Sequence, residues 1–288
     1  MRSFTIAVFT TVLLGLILTL SHFLSGRIKG RIEERFLLPE KMYLLFVPED
    51  LHYGLADMGF INTLSFIGYS LQKEKGILKR EDALMVYSAL DAVTFYNPSY
   101  FDPYYVGNAF LTWNVGLYQE TVDLLKRGLK YIKDWRIPFY IGFNYFYFLK
   151  DNLKGAEYLR LAAKYPGAKE YNLLPLLASK LYYEEGQLDV AIALLKEQLK
   201  LMKEEKMKEL LRARLETLKK AKTIYRAMKI FKKRFGRKPK SVEELVRAKL
   251  IPPNLRDSRG GKFFITSDGK VRSEKDLMPV VRKLLEEE

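Results

Sequence analysis

Val115-Gly116-Leu117-Tyr118-Gln119-Glu120-Thr121 and Glu185-Gly186-Gln187-Leu188-Asp189-Val190-Ala191 are the two stretches on which the reading of this chain turns. Each sets a Gly just ahead of a helix-like run, and the same kind of break recurs along the chain. Glu81, Gly116, Asp151 and Gly186 align at a step of 35 residues. Two positions on stand Ala83, Tyr118, Leu153 and Leu188; five on, Val86, Thr121, Ala156 and Ala191. Eight on stand Ala89, Leu124, Leu159 and Leu194; twelve on, Val93, Gly128, Ala163 and Gln198. Offsets 5, 8 and 12 put one side chain per turn on a single helix face, and small residues there let a second helix come close. The pattern predicts helix, short turn, helix, four times over residues 57–202. The first pair is the least regular, with a helix near 58–73 and a longer turn from Lys73 to Arg80. One pair cannot bury its apolar faces alone, but a stack can. The expected fold class is therefore all-α, an α-solenoid of about four helix pairs.

Composition agrees. The chain has 288 residues, of which 48% are apolar, so it carries enough apolar surface for a core and is not a disordered polymer. It holds no Cys, which excludes disulfides, thiolate metal sites and a Cys nucleophile. Four Gln, no Cys and abundant Lys and Glu fit a thermophilic source. Of the 49 basic and 34 acidic residues, 28 basic and 14 acidic lie in 196–288, so nearly all of the net charge of +15 belongs to the last third.

Phe4 to Leu20 carries no charge, and the apolar stretch runs on to Leu24. That is about 21 residues, the length that crosses a hydrocarbon core of about 30 Å as a helix. Residues 1–26 are read as an uncleaved transmembrane anchor. A signal peptide is the alternative, but Thr19-Leu20-Ser21 makes a poor cleavage site. A buried core helix is the third reading. The basic flank Arg27, Lys29 and Arg31 favours a cytoplasmic body, whereas the short tail bearing Arg2 favours an exported one. The expectation is a single-pass membrane protein with an extracytoplasmic body. Residues 27–56, mixing charge, Pro39 and Pro48, read as a linker.

The two Gly-containing stretches quoted first, with Phe95-Tyr96-Asn97-Pro98 at a repeat end, resemble the tetratricopeptide repeat (TPR), whose usual unit is 34 residues. Over most of its length the chain is also similar to a set of bacterial membrane-anchored TPR proteins of unassigned role. The landmarks are Leu38-Pro39, Gly54-Leu55-Ala56-Asp57 and Asp134-Trp135-Arg136-Ile137-Pro138-Phe139. The resemblance implies a binding scaffold with a concave face lined by the first helix of each pair. Repeat numbering puts Phe110, Trp113, Asn114, Tyr145, Phe148, Lys180 and Tyr183 on or near that face. Large aromatics with a few polar groups suit an extended peptide or a partner helix. The competing reading is that the run from Phe139 to Leu149 packs between neighbouring helices. Gly107, Gly142 and Leu177 stand where some TPR proteins hold a peptide carboxylate with Asn, so that clamp is not expected.

After the repeats, 203–238 read as a long basic capping helix, with the helical pattern over about 203–235. Met207, Leu210, Leu211, Leu215, Leu218, Ala221, Ile224, Tyr225, Met228, Phe231 and Phe235 form its apolar stripe, which should cap the stack. Its other face and the turn beyond hold Lys219, Lys220, Lys222, Arg226, Lys229, Lys232, Lys233, Arg234, Arg237, Lys238 and Lys240, with no acid between 219 and 240. A solvated face, anionic lipid or an acidic partner, and nucleic acid are the three readings of this surface. Nucleic acid ranks last, because no recognised nucleic-acid motif accompanies the patch.

Residues 239–288 read as a small α+β cap. Ser241-x-x-Glu244 is a capping box opening a short helix, and Gly260–Thr266 and Lys270–Ser273 are two strands about a Ser267-Asp268-Gly269 turn. This end resembles that of type II secretion pseudopilins, although the N-terminus lacks the prepilin cleavage sequence. A generic cap is the plainer alternative.

Nothing assembles into a catalytic set. Gly260-Gly261-Lys262 lacks the Gly that a phosphate loop needs at Arg256. His52 is the one His outside the apolar segment, which leaves no triad and argues against zinc. The expectation is a non-enzymatic membrane scaffold with no cofactor and no metal, binding a protein partner in an envelope assembly such as a secretion or pilus system. The alternatives are a tether whose basic helix meets anionic lipid and, ranked below it, a nucleic-acid-binding adaptor.

Overall fold

A computed structural model describes residues 47–73, 75–76, 78–170 and 173–275. The expected anchor at 1–26, the linker up to residue 46 and the last residues of the C-terminal module lie outside the described residues. Among the described residues, no helix is long and apolar enough to cross a membrane. The described chain is mainly helical, with ten α-helices and one two-stranded sheet. It divides into two compact units at Asn97/Pro98, so the division falls inside the expected repeat region.

The first unit packs α1 (Glu49–Lys73) against α2 (Arg80–Tyr96). Glu49 and Asp50 in the first turn and Lys73 in the last match the helix dipole. Helix α1 therefore begins eight residues before position 57, and 49–56 are helix rather than linker. Ala56, Phe60 and Ile67 of α1, and Ala83, Val86, Leu90 and Val93 of α2, form the core of this pair. Thr63 and Thr94 are buried with their hydroxyls donated to the carbonyls of Gly59 (2.7 Å) and Leu90 (2.8 Å), so neither polar group is stranded. Gly76, at φ 91°, closes α1 by donating its N–H to the Leu71 carbonyl at 2.7 Å.

The second unit continues with α3 (Phe101–Gly107), α4 (Tyr118–Tyr131), α5 (Arg136–Phe143), α6 (Asn152–Ala162), α7 (Leu174–Glu184), α8 (Leu188–Leu201) and α9 (Glu205–Phe235). From α3 to α9 each helix packs on the next in sequence. The offset-five residues of the repeat, Val86, Thr121, Ala156 and Ala191, are all fully buried.

The 35-residue step is a mean rather than a constant. The second helices of the last three pairs start at Tyr118, Asn152 and Leu188, 34 and then 36 residues apart. The left-handed turn residues ahead of them are Gly116 (φ 73°), Lys150 (φ 58°) and Gly186 (φ 75°). Asp151 is thus not the turn residue of its pair. It is the N-cap of α6, where its carboxylate accepts the Lys154 N–H at 3.0 Å. Both α3 and α5 run into a π-helical turn, Asn108–Thr112 and Asn144–Phe148. Such a turn holds one residue more than an α-helical path would and re-aims the side chains beyond it.

Helix α9 packs on α8, and Met207, Leu211, Leu215, Leu218, Ala221, Ile224 and Phe231 are buried as its apolar stripe requires. Phe235 departs from the stripe: it is 48% exposed and rests on Phe231 with ring centroids 4.4 Å apart. Gly236, at φ 70°, ends the helix after Phe235 by donating to the Lys232 carbonyl. Helix α10 (Val242–Arg247) follows, then β1 (Phe263–Ile265) paired antiparallel with β2 (Val271–Ser273) about a turn with Gly269 at φ 83°. The capping box forms only in part. The Ser241 side chain makes no cap bond, and Glu244 reaches past it to accept the Lys240 N–H at 3.1 Å while also binding Arg237 at 2.9 Å. The Arg237 charge draws the carboxylate one residue further back than the box geometry requires.

Helices α5 and α6 approach through glycines. A Cβ on Gly155 would lie 2.8 Å from Phe146 Cβ and 3.1 Å from the Gly142 carbonyl oxygen, both tied to backbone. Gly68 in α1 has open space at the same point. Helix propensity alone favours Ala over Gly by roughly 1 kcal/mol at both sites. We therefore expect Gly68→Ala to raise the thermal midpoint and Gly155→Ala to lower it, because overpacking costs about 1–3 kcal/mol and outweighs propensity. Circular-dichroism melts of the two variants read the opposite signs directly.

Candidate interaction surface

Trp113 follows the first π-helical turn and is 60% exposed. Its ring meets Phe148 edge-on at 5.0 Å and lies 6.0 Å from both Phe143 and Tyr147. Phe148 stacks on Tyr118 at 4.6 Å, and Tyr147 stacks on Phe143 at 5.2 Å with the Lys150 ammonium 5.2 Å from its ring centroid. The cluster spans two helix pairs and keeps Trp113 and Tyr147 open to solvent. Beside it, exposed Tyr105 meets Tyr140 at 6.2 Å. Asn144, which opens the second π turn, is buried and donates to Asn108 Oδ1 (2.7 Å), which opens the first, and to the Tyr140 carbonyl (2.8 Å). The two irregular turns are thereby tied to each other, which holds the aromatic rings after them in place.

Of the seven residues expected on the first-helix face, Trp113 and Phe148 come together in this cluster. Asn114 is exposed next to Trp113 in sequence, and Phe110 is half-buried. Tyr145 is not available to a partner. It is 5% exposed and stacked on Tyr158 at 5.8 Å, with the Lys126 and Lys154 ammonium groups 5.5 and 5.1 Å from its ring centroid. The hydrogen bond to Tyr145 holds the Lys126 ammonium above its ordinary pKa, against the effect of burial. The π turn accounts for the difference, since the added residue swings Tyr145 towards α6 and Tyr147 towards Trp113.

Tyr183 is also buried, at 5% exposure, and for another reason. Its hydroxyl donates to the Val271 carbonyl, and the Val271 N–H donates to Tyr225 Oη at 3.0 Å. The guanidinium groups of Arg214 and Arg272 each lie 5.5 Å from the Tyr183 ring centroid. Lys180 pairs with Glu184 at 3.4 Å, and Glu184 also reaches Arg272 at 4.0 Å. On the fourth pair, then, strand β2 of the same chain occupies the place the sequence reading gave to a partner. Sequence reasoning misses Phe143, Tyr147, Tyr118 and Tyr105 as members of this surface. The density of aromatics between 139 and 148 was the available sign, but it does not say which rings face out.

The basic surface is largely open. Lys219, Arg226, Lys229, Lys232, Lys233, Arg234, Arg237, Lys238 and Lys240 are exposed, and Lys220 and Lys222 are half-buried. Lys222 pairs with Asp189 of α8, and Arg237 with Glu244. Among the described residues, no group of three or more His, Asp or Glu converges as a metal site would require. Comparison with family models, with curated proteins and with solved structures finds no match to this chain.

The hairpin that covers α7 is itself held by Asp257. This buried carboxylate accepts the N–H groups of Arg259 and Gly261, each at 2.7 Å, and the Ser273 hydroxyl. Burial pushes its pKa up, but the Ser273 bond and the two backbone N–H groups outweigh that and hold the carboxyl below the usual carboxylate range. A group depressed on folding lends stability that is complete above its unfolded pKa, about 3.9, and is lost as pH falls through the lower folded value. Acid should therefore loosen the hairpin below about pH 4. Asp257→Ala should cost about 1–3 kcal/mol at neutral pH, through the donors it strands, and should flatten this acid limb. Thermal melts followed across pH in both proteins test it.

Proposed function

We propose that this chain is a non-enzymatic, membrane-anchored scaffold of TPR-like helix pairs that binds a protein partner through the Trp113 cluster. The observation that supports it most is the pairing of a largely exposed Trp113 with Tyr147 on a base of packed rings from two successive helix pairs. Large rigid aromatics seated this way lose little freedom when a partner covers them, and Trp and Tyr are the residues that dominate protein interfaces. Lys150 beside Tyr147 and the Trp113 indole N–H supply polar contacts at the rim. An extended or helical peptide offering apolar side chains fits this surface.

The 35-residue mean period, the small residues where helices meet and the capping role of α9 support the TPR-like reading over an irregular helical bundle. The uncharged stretch from Phe4 to Leu20 and its apolar continuation to Leu24 support the anchor, with the body on the extracytoplasmic side. An envelope assembly such as a secretion or pilus system is the setting that suits an anchored scaffold with a pseudopilin-like end.

Trp113→Ala and Tyr147→Ala leave the buried packing of the pair in place, so helicity and melting point should stay close to those of the parent. Photo-crosslinking from position 114 in native membranes should give a discrete adduct with the parent chain. Both substitutions should reduce that adduct at least tenfold, since a central Trp or Tyr contributes about 2 kcal/mol or more. An adduct of unchanged yield in both folded variants would remove the cluster from the interface.

A further inference from the structure

On α9, Lys219, Lys222, Arg226, Lys229 and Lys233 follow one another at intervals of three or four residues and so lie in one row along the helix. At 1.5 Å per residue the row is about 21 Å long. All but Lys222 are exposed. Lys222 binds Asp189, and Arg226 and Lys229 lie close enough to add to its effect. The Lys222 bond above all, then the charges of the row, hold the Asp189 carboxyl below its usual pKa. Among the described residues, no other carboxylate forms an ion pair with the row. Thr223 spends its hydroxyl on the Lys219 carbonyl of its own helix. Ile230 stands in the row between Arg226 and Lys233 and is 54% exposed.

Five like charges at helical spacing repel one another, and a single Asp does not offset them. An extended anionic surface does. We propose that this row lies flat on anionic lipid headgroups, with Ile230 entering the interfacial layer. A straight row on one side of a helix meets a plane along its whole length, and each cation near such a surface is worth about 1 kcal/mol. An exposed apolar side chain among cations gains from the headgroup–acyl boundary and gains nothing from a phosphodiester backbone. The exposed Ile230 within the row thus favours lipid over nucleic acid. This inference is independent of the Trp113 cluster, and either can fail without the other.

The chain has no Cys, so Ile230→Cys, and Glu197→Cys on α8 as the reference, each place one environment-sensitive dye on the full-length protein. The labelled proteins are reconstituted with vesicles of phosphatidylcholine alone or mixed with phosphatidylglycerol. Emission from position 230 should shift to the blue in the anionic vesicles only, and emission from position 197 in neither. Salt at about 1 M, where the screening length is about 3 Å, should reverse the shift. The triple variant Arg226→Gln, Lys229→Gln, Lys233→Gln should reduce docking on the order of a hundredfold, at roughly fivefold per charge. Equal emission at position 230 in neutral and anionic vesicles overturns the proposal without recourse to any charge variant. A shift produced by duplex DNA and not by anionic vesicles overturns it too, and assigns the row to nucleic acid.

Discussion

Helices that are apolar on two sides must be covered on two sides, and the second unit is arranged around that requirement. Helix α7 buries Leu176, Ala178, Leu181 and Tyr182 between α6 and α8, and α8 buries Ala191, Ile192, Leu194 and Leu195 between α7 and α9. Covering one helix creates the demand for the next. The series stops only where a helix is polar on its far side, and α9 is that helix: a buried stripe of Leu, Ala, Ile and Phe faces α8, and a row of Lys and Arg faces water. The small hairpin finishes the cover. Two tyrosines, Tyr183 and Tyr225, grip both polar groups of the Val271 peptide, so the backbone of β2 is satisfied where it meets the helices.

The aromatic surface forms beside a close approach between neighbours. With Gly142 and Gly155 facing each other, α5 and α6 come near enough that Phe146 lies against the Gly155 backbone. Phe146 belongs to the second π turn, and its ring meets Phe143 edge-on at 6.0 Å. Beyond it Phe143, Tyr147, Phe148 and Trp113 pack on one another. The part-buried Asn144–Asn108 bond couples the two irregular turns that carry these rings.

Much of this was legible in the residues. The periodicity of small and apolar positions gave the helix pairs and their order. The apolar stripe of α9, its basic face and the turn at Asp268-Gly269 were likewise open to reading, because each depends on neighbours within a few residues. The repeat frame slipped by one at Asp151, since Lys150 adopts the left-handed turn conformation that Gly usually takes and leaves Asp151 as a cap. The Ser241–Glu244 box forms only in part because Arg237, seven residues before Glu244, competes for its carboxylate.

What the sequence determined by itself is local: helix against turn, apolar face against polar face, and the excess of positive charge in the last third. Which aromatic side chains face solvent was decided by tertiary structure alone. Tyr145 and Tyr147 are two residues apart and alike in chemistry, yet one is sealed between Tyr158 and two lysines and the other stands open beside Trp113. Tyr183 is closed by a strand 88 residues further along the chain. Exposure depends on what lies across the gap, and that neighbour comes from a distant part of the chain, where no periodicity in the residue itself records it.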